Sequence, residues 1–277
     1  MIGAIAGDII GSRWEASGFK EKDFDLFEGS VRPTDDTVLT VAVADCLVSG
    51  REYAKTYQAY FRSYPRAGFG AWFTDWALAR STKSYGSLGN GAAMRVSPVG
   101  WAFESLAEVA AEARLSAEVT HDHPDAVRAA EATAVAVILA RSNLTKNEIR
   151  SLLQTKFGYD LSRRLDEIRP SYTFDTSASG SVPEAIIAFL ESHDWEDAVR
   201  NAISLGGDAD TMACIAGAIA EAYYGVPESI VRRTRAFLDE PLLRVVDAFD
   251  ERFGAAVIPN RNHQQTSLTT TPQSEHR

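Results

Sequence analysis

Cysteine, basic charge and long hydrophobic runs are all scarce in this sequence of 277 residues. Its two cysteines, Cys46 and Cys214, each lie in an apolar run, which favours buried free thiols over a disulfide. The net charge of −10 argues against a nucleic-acid partner, because such a surface needs a basic stripe. No uncharged run approaches the ~20 apolar residues of a membrane span. Asp8 interrupts an N-terminal run that lacks the basic start of a signal peptide. We therefore expect a soluble, cytoplasmic protein that binds neither nucleic acid nor membranes.

Strand-like alternation of apolar and polar residues is also scarce, whereas apolar residues recur at helical spacing in about a dozen segments. Clear examples cover residues 35–49, 124–141 and 209–224. This pattern predicts an all-α fold, and we expect a single helical domain over residues 1–257. The polar, Thr- and Gln-rich residues 258–277 are expected to form a disordered tail.

Glycine marks one predicted helix and one predicted loop. The helix spans residues 2–14, and its glycines fall four residues apart on one stripe where another backbone can approach closely. These are Gly3, Gly7 and Gly11. Residues 16–33, the glycine-rich segment 81–93 and residues 157–181 are predicted as loops. A helix is predicted to resume at residue 182, with a proline near its start.

Two short acidic stretches each precede an apolar helix that is rich in small residues. Asp208, Asp210 and Thr211 begin one of these helices, and residues 34–37 (Thr-Asp-Asp-Thr) begin the other. Asp and Thr are good helix caps, but an ordinary N-cap needs only one of them. Four carboxylates brought together cannot all stay ionised unless cations neutralise them, and oxygen ligands suit Mg²⁺ or Ca²⁺. The alternatives are two N-caps or one dinuclear cation site built from two helix N-termini.

Two weaker motifs each allow a simple structural interpretation. The glycine-rich loop 81–93 could hold a phosphate with its backbone N–H groups, or it could only connect two helices. His121 and His123 flank Asp122, which invites a zinc site. With no third ligand nearby, local hydrogen bonding at a helix junction is favoured over zinc.

Taken in order, these motifs resemble those of the ADP-ribosylglycohydrolase family over roughly residues 1–250. The matching residues are Gly3-Ala4-x-x-Gly7-Asp8-x-x-Gly11, Glu15, Thr34-Asp35-Asp36, Gly89-Asn90-Gly91-Ala92-Ala93-Met94-Arg95, Thr120-His121 and Gly206-Gly207-Asp208-Ala209-Asp210-Thr211. The two acidic motifs are specific together, although neither is specific alone. The resemblance implies an all-α orthogonal bundle with a dinuclear metal cleft.

The resemblance also implies roles for individual residues. Two divalent cations, Mg²⁺ or Mn²⁺, would be bound by six residues: Thr34, Asp35, Asp36, Asp208, Asp210 and Thr211. The ADP-ribose site would be lined by the glycine-rich loop and a histidine at its far end: Gly89, Asn90, Gly91, Met94 and His121. Glu15 would lie on a mobile loop that closes over the ligand.

The implied reaction is hydrolysis of the glycosidic bond between ADP-ribose and a modified protein side chain, which releases ADP-ribose. The transition state resembles an oxocarbenium ion, and the cations would hold ribose hydroxyl groups and a water molecule. Three catalytic residues are predicted: Asp36 or Asp208 would be the general base, and Glu15 would lie on the loop that closes over the ligand.

The linked side chain is less well specified by the sequence. No Asp or Glu lies between Asp75 and Glu104, whereas the arginine-directed branch of the family can carry an extra carboxylate near the glycine-rich loop. We favour arginine and keep serine as the second linkage. The alternatives to this enzyme are a non-hydrolysing ADP-ribose-binding or toxin-immunity module and a two-metal phosphohydrolase.

Overall fold

The computed structural model describes residues 1–254, and every regular element within them is a helix. In this range β-type pairing is limited to an isolated bridge between Gly89 and Ser177. The fifteen helices are α1 (Ile2–Gly11), α2 (Asp35–Ser49), α3 (Tyr53–Ser63), α4 (Ala71–Leu78), α5 (Gly91–Met94), α6 (Val99–Ala102), α7 (Leu106–Glu118), α8 (Pro124–Arg141), α9 (Lys146–Phe157), α10 (Leu165–Ile168), α11 (Ala178–Leu190), α12 (Trp195–Ile203), α13 (Ala209–Tyr224), α14 (Glu228–Arg235) and α15 (Glu240–Phe253). The predicted all-α class is confirmed. The predicted tail, residues 258–277, lies outside the described residues, and the domain boundary at residue 257 stays a prediction.

The centre of the bundle is α13, which is buried at every position from Ala209 to Ala220. A helix whose side chains are small and apolar on all sides needs neighbours on all sides, and α1, α8, α11 and α12 supply them.

The two cysteines are buried and unpaired, as the sequence predicted. None of the helices in the described range is long and apolar enough to span a membrane.

The glycine stripe of α1 lies directly against α13. A Cβ atom on Gly7 would come within 2.1 Å of the carbonyl oxygen of Ala213, and one on Gly11 within 2.5 Å of the Cα of Asp210. Only glycine allows two helix backbones to approach this closely. The predicted close approach is confirmed, and it joins α1 to the helix that carries the second acidic motif.

Several predicted boundaries are wrong. The first helix ends at Gly11 rather than at residue 14, and the one-turn helices α5, α6 and α10 were predicted as loops or not at all. One turn is too short to show an apolar period. Helix α11 starts at Ala178 instead of residue 182, because the Ser177 hydroxyl accepts a hydrogen bond from the backbone N–H of Gly180. Pro183 therefore lies inside this helix and not near its start.

Candidate active site

The first acidic motif is held in place by Asp8 of α1. The Asp8 carboxylate accepts hydrogen bonds from the Thr34 backbone N–H at 2.9 Å and from the Thr34 hydroxyl at 2.6 Å. It also accepts from the backbone N–H of Thr37 at 3.1 Å and from the Thr37 hydroxyl. One buried carboxylate thus satisfies two backbone donors at the start of α2, where the helix itself has no acceptors.

Thr34 is the N-cap of α2, and its hydroxyl accepts from the Asp36 backbone N–H at 3.2 Å. The simple capping interpretation therefore fits Thr34. It does not account for Asp36, whose Oδ1 is buried and has no hydrogen-bond partner. A capping role leaves this oxygen unexplained.

The second acidic motif differs in that its N-cap residue does not cap. Asp208 occupies the N-cap position of α13 without a side-chain capping hydrogen bond to a backbone N–H of the helix. Its Oδ2 instead accepts from the side-chain amide of Asn90 at 2.7 Å. Two residues later, Asp210 Oδ1 accepts from the Thr211 backbone N–H at 3.0 Å. The amide of Asn90 fixes the orientation of the Asp208 carboxylate.

Both motifs open into one cleft of about 420 Å³. Its wall contains eleven of the twelve residues predicted for the site: Glu15, Asp35, Asp36, Gly89, Asn90, Gly91, Met94, His121, Asp208, Asp210 and Thr211. Thr34 is the exception, because its hydroxyl is directed to Asp8 behind the wall. The structure therefore brings together residues from the start of the chain, the glycine-rich loop and the start of α13.

The acidic end of the cleft concentrates carboxylate oxygens. One oxygen each from Asp8, Asp36 and Asp210 lie within 4.8 Å of one another, and so do oxygens from Glu15, Asp208 and Asp210. Such groups could hold a metal ion. The donors are all oxygens, which suits Mg²⁺ or Mn²⁺ better than zinc, and the unpartnered Oδ1 of Asp36 is a buried acceptor that a cation would satisfy.

The pKa values of these carboxyl groups show how unfavourable the cluster is without a cation. Burial raises the pKa of Asp8 to about 6, although the hydrogen bonds from Thr34 and Thr37 oppose this shift. Burial, followed by the charge of Asp8, raises the pKa of Asp35 to about 7. The pKa of Asp36 lies well above its ordinary value because of burial and then the charge of Asp210.

The same two causes act on the second motif. Burial and the charge of Asp208 raise the pKa of Asp210 well above its ordinary value. Burial and Asp208 also raise the pKa of Glu15, while Arg32 opposes that shift. Perturbed carboxyl groups gathered in a cleft are typical of functional sites.

Sequence reasoning did not include Asp8 among the site residues. The structure places it behind the wall of the cleft, in contact with Thr34 and Thr37. A signal was present: Asp8 is the one charged residue in the otherwise apolar helix α1. Its partners are 26 and 29 residues away, and no local pattern reports a contact at that separation.

The two histidines make the local contacts that the sequence favoured. His121 Nδ1 lies 2.7 Å from the Thr120 hydroxyl, and His123 Nδ1 accepts from the Asp125 backbone N–H at 3.2 Å as the N-cap of α8. No histidine belongs to a group of possible metal ligands within residues 1–254. His121 lines the cleft at its glycine-rich end.

Fold and site together define a class of protein: an all-helical bundle with an acidic cleft at the N-termini of two buried helices. The model of the ADP-ribosylglycohydrolase family matches residues 1–257, and the chain belongs to this family. The resemblance drawn from the motifs is confirmed, as is the prediction that the protein is an enzyme of this type.

Named relatives agree with this assignment. "ADP-ribosylhydrolase ARH3" of Mus musculus is 29% identical over 88% of this chain and 88% of its own length, and the Homo sapiens protein of the same name is 29% identical over 83% and 86%. "ADP-ribosylarginine hydrolase Tri1" of Pseudomonas putida is 28% identical over 70% of this chain and 59% of its own length. The solved structure "ADP-ribosylglycohydrolase-related protein complex" superposes with a TM-score of 0.62 at 25% identity, covering 91% of this chain and 96% of that one.

Proposed function

We propose that this protein is a divalent-cation-dependent hydrolase that removes ADP-ribose from a modified protein side chain. The observation that carries the proposal is the convergence of the two acidic motifs. Asp36 and Asp210, which are 174 residues apart in sequence, have carboxylate oxygens within 4.8 Å of each other and of Asp8. Two independent helix caps would have no reason to meet in this way.

Six residues are proposed as the cation ligands: Thr34, Asp35, Asp36, Asp208, Asp210 and Thr211. When bound, two Mg²⁺ or Mn²⁺ ions would neutralise the carboxylates, acidify a water molecule and orient ribose hydroxyl groups. Asp8 supports this set from behind, since it fixes the backbone from which Thr34, Asp35 and Asp36 project. Carboxylates that hold ligand-bearing segments commonly matter almost as much as the ligands themselves.

The remaining roles belong to the chain's own side chains. Cleavage of the glycosidic bond builds positive charge on the distal ribose, and the carboxylates at this end of the cleft lie where they would stabilise it. Asp36 or Asp208 would accept a proton from the attacking water, because each is a buried carboxylate in the cleft wall, and Oδ1 of Asp36 has no hydrogen-bond partner. Glu15 lies at the mouth of the same carboxylate cluster and would cover the reacting bond.

The rest of ADP-ribose is proposed to lie along the part of the cleft wall formed by Gly89, Asn90, Gly91, Met94 and His121. For the leaving group we favour arginine over serine. The carboxylate of Glu15, which is not among the proposed cation ligands, lies in the wall of the cleft and would attract a guanidinium group more strongly than a neutral hydroxyl. The name of the Pseudomonas putida relative specifies ADP-ribosylarginine, which agrees with this preference.

A substrate panel tests the proposal. Peptides carrying ADP-ribose on arginine or on serine are incubated with the protein and Mg²⁺ or Mn²⁺, and released ADP-ribose is measured. We expect release that EDTA abolishes and that Asp35→Asn lowers by at least about a hundredfold, on the scale of a lost charge-stabilising group. Glu251→Gln is the matched control, because Glu251 is exposed on α15 and does not line the cleft.

The products separate the competing functions. Release of AMP or inorganic phosphate would identify a phosphohydrolase instead. Tight binding of ADP-ribose without release from any linkage, at any cation concentration, would reject hydrolysis in favour of a binding module.

A further inference from the structure

Arg95 is a buried cation that has no anionic partner. It lies in the wall of the cleft, and its side chain is 0% exposed. Its guanidinium packs 4.4 Å above the ring of Tyr57, and Nη2 donates to the Ser116 carbonyl at 3.2 Å and to the Thr120 hydroxyl at 2.7 Å. Nε and Nη1 have no hydrogen-bond partner, and no carboxylate within residues 1–254 pairs with this side chain. Burying an unpaired charge costs free energy, which suggests that this arginine has a function in the site.

The contact with Thr120 determines where the hydroxyl proton of that residue goes. An arginine only donates, so the Thr120 oxygen accepts from Arg95 and must direct its own proton elsewhere. The acceptors in reach are His121 Nδ1 at 2.7 Å and the Ala117 carbonyl at 3.5 Å. A hydrogen bond of 2.7 Å holds this proton better than one of 3.5 Å, which favours the arrangement in which His121 Nδ1 accepts.

The consequence reaches the cleft through the imidazole of His121. When its Nδ1 accepts from Thr120, a neutral ring carries its proton on Nε2. Burial, followed by the nearby charge of Arg95, lowers the pKa of His121 well below its ordinary value, which keeps the ring neutral. Nε2 would lie 3.1 Å from a Cβ on Gly91 and 3.9 Å from one on Gly89. The missing side chains of these two glycines leave space in front of this N–H.

We propose that Arg95 is a positioning residue for the diphosphate of the ligand: acting through Thr120, it holds His121 in the form that donates Nε2–H into the cleft beside Gly89 and Gly91. This inference rests on the proposed function in so far as the ligand is ADP-ribose. It adds a chain of hydrogen bonds behind the cleft wall, from Arg95 to Thr120 to His121, which we call the relay.

The charge distribution of the cleft agrees with this assignment. Five carboxylates lie in its wall, and among the described residues Arg95 is the one lysine or arginine in that wall. A diphosphate would be attracted by Arg95, whose charge no carboxylate neutralises in a low-dielectric surrounding. An anionic diphosphate is therefore expected on the side of the cleft where Arg95 lies behind His121.

Thr120→Val tests the relay, because valine keeps the shape of threonine and removes the hydroxyl. Thr120→Ser, which keeps the hydroxyl, is the matched control. The tautomer of His121 is read at pH 7 from its imidazole ¹⁵N chemical shifts, which are assigned with His121→Gln. Binding of ADP and of ADP-ribose is measured by calorimetry in the presence of Mg²⁺, and neither measurement requires turnover.

We expect wild type and Thr120→Ser to show protonated Nε2 and unprotonated Nδ1. Thr120→Val should give a mixture of tautomers and weaken ADP and ADP-ribose by the same factor, about tenfold, as for one lost charge-assisted hydrogen bond. A wild-type His121 that is protonated on Nδ1 would overturn the proposal even if no variant folded. So would unchanged ADP binding in a folded Thr120→Val protein. If both ligands bind as expected but no ADP-ribose is released from any peptide, the relay stands and the hydrolase assignment fails.

Discussion

Replacing Asp36 with asparagine should stabilise the metal-free protein and remove its response to divalent cations. Asp36 is buried, its Oδ1 has no partner, and one of its oxygens lies within 4.8 Å of oxygens on Asp8 and Asp210. An asparagine has nearly the same shape, carries no charge, and can donate its amide N–H to a neighbouring carboxylate. The substitution therefore removes an electrostatic cost and leaves the packing intact.

The size of the gain follows from the distances and from proton linkage. Two ionised carboxylates 4.8 Å apart repel by about 3.5 kcal/mol at an effective dielectric constant of about 20. The folded protein can avoid this repulsion by protonating Asp36. At about 1.36 kcal/mol per pH unit above the ordinary pKa of 3.8, proton uptake at pH 7 costs at most about 4 kcal/mol. We expect Asp36→Asn to recover about 3 kcal/mol, or about 6–12 °C in Tm.

The assay is thermal unfolding at pH 7 in EDTA and in Mg²⁺. Wild type should gain stability on addition of Mg²⁺, whereas Asp36→Asn should begin higher in EDTA and gain little. Glu251→Gln, an exposed carboxylate-to-amide change, should match wild type in both conditions. An Asp36→Asn protein that unfolds below wild type in EDTA would show that the carboxylates do not oppose folding, and the reasoning would fail.

Three further predictions concern pH, a supporting amide and the glycine stripe. The pKa values of Asp8 and Asp35 are raised to about 6 and about 7, so the metal-free folded state binds more protons than the unfolded chain, and its Tm should fall as pH rises from about 4 to about 7. Saturating Mg²⁺ should remove this fall. Asn90→Ala should weaken cation affinity, measured by calorimetry, by about 10–100-fold because Asp208 loses the amide that orients it. Gly7→Ala should lower the free energy of unfolding by about 3 kcal/mol in urea, since its Cβ would overlap a backbone carbonyl of α13.

Long apolar periods allowed most of the fold to be predicted from the sequence. The predicted helices 35–49, 124–141 and 209–224 match α2, α8 and α13, because each has several turns with one consistent pattern of burial. The start of α11 was missed for a physical reason. Its first turn, Ala-Ser-Gly-Ser, contains serine and glycine, which also favour loops, and the Ser177 cap that selects the helix is a single hydrogen bond.

The candidate site, like the fold, has one part that could be predicted from the sequence and one part that could not. The acidic motifs and the glycine-rich loop are local patterns, and the structure places them in one cleft. Asp8 and Arg95 act through partners that are distant in sequence: Asp8 through Thr34, and Arg95 through Thr120, which is 25 residues away. Burial and hydrogen-bond direction give these two side chains their roles, and neither property can be obtained from spacing along the chain.

Helix α1 is the element that turns two separate acidic motifs into one site. Its glycine face lets α13 approach until Gly11 lies against Asp210, and its Asp8 side chain holds the start of α2 through Thr34. Both contacts are short and buried, so a shift of α1 would separate Asp36 from Asp210 even if each motif kept its own helix intact. Glu15 lies four residues after Gly11, the last residue of α1, so its position also depends on where α1 packs. The geometry of the carboxylate cluster thus depends on the glycines of α1 as directly as on the aspartates that form it.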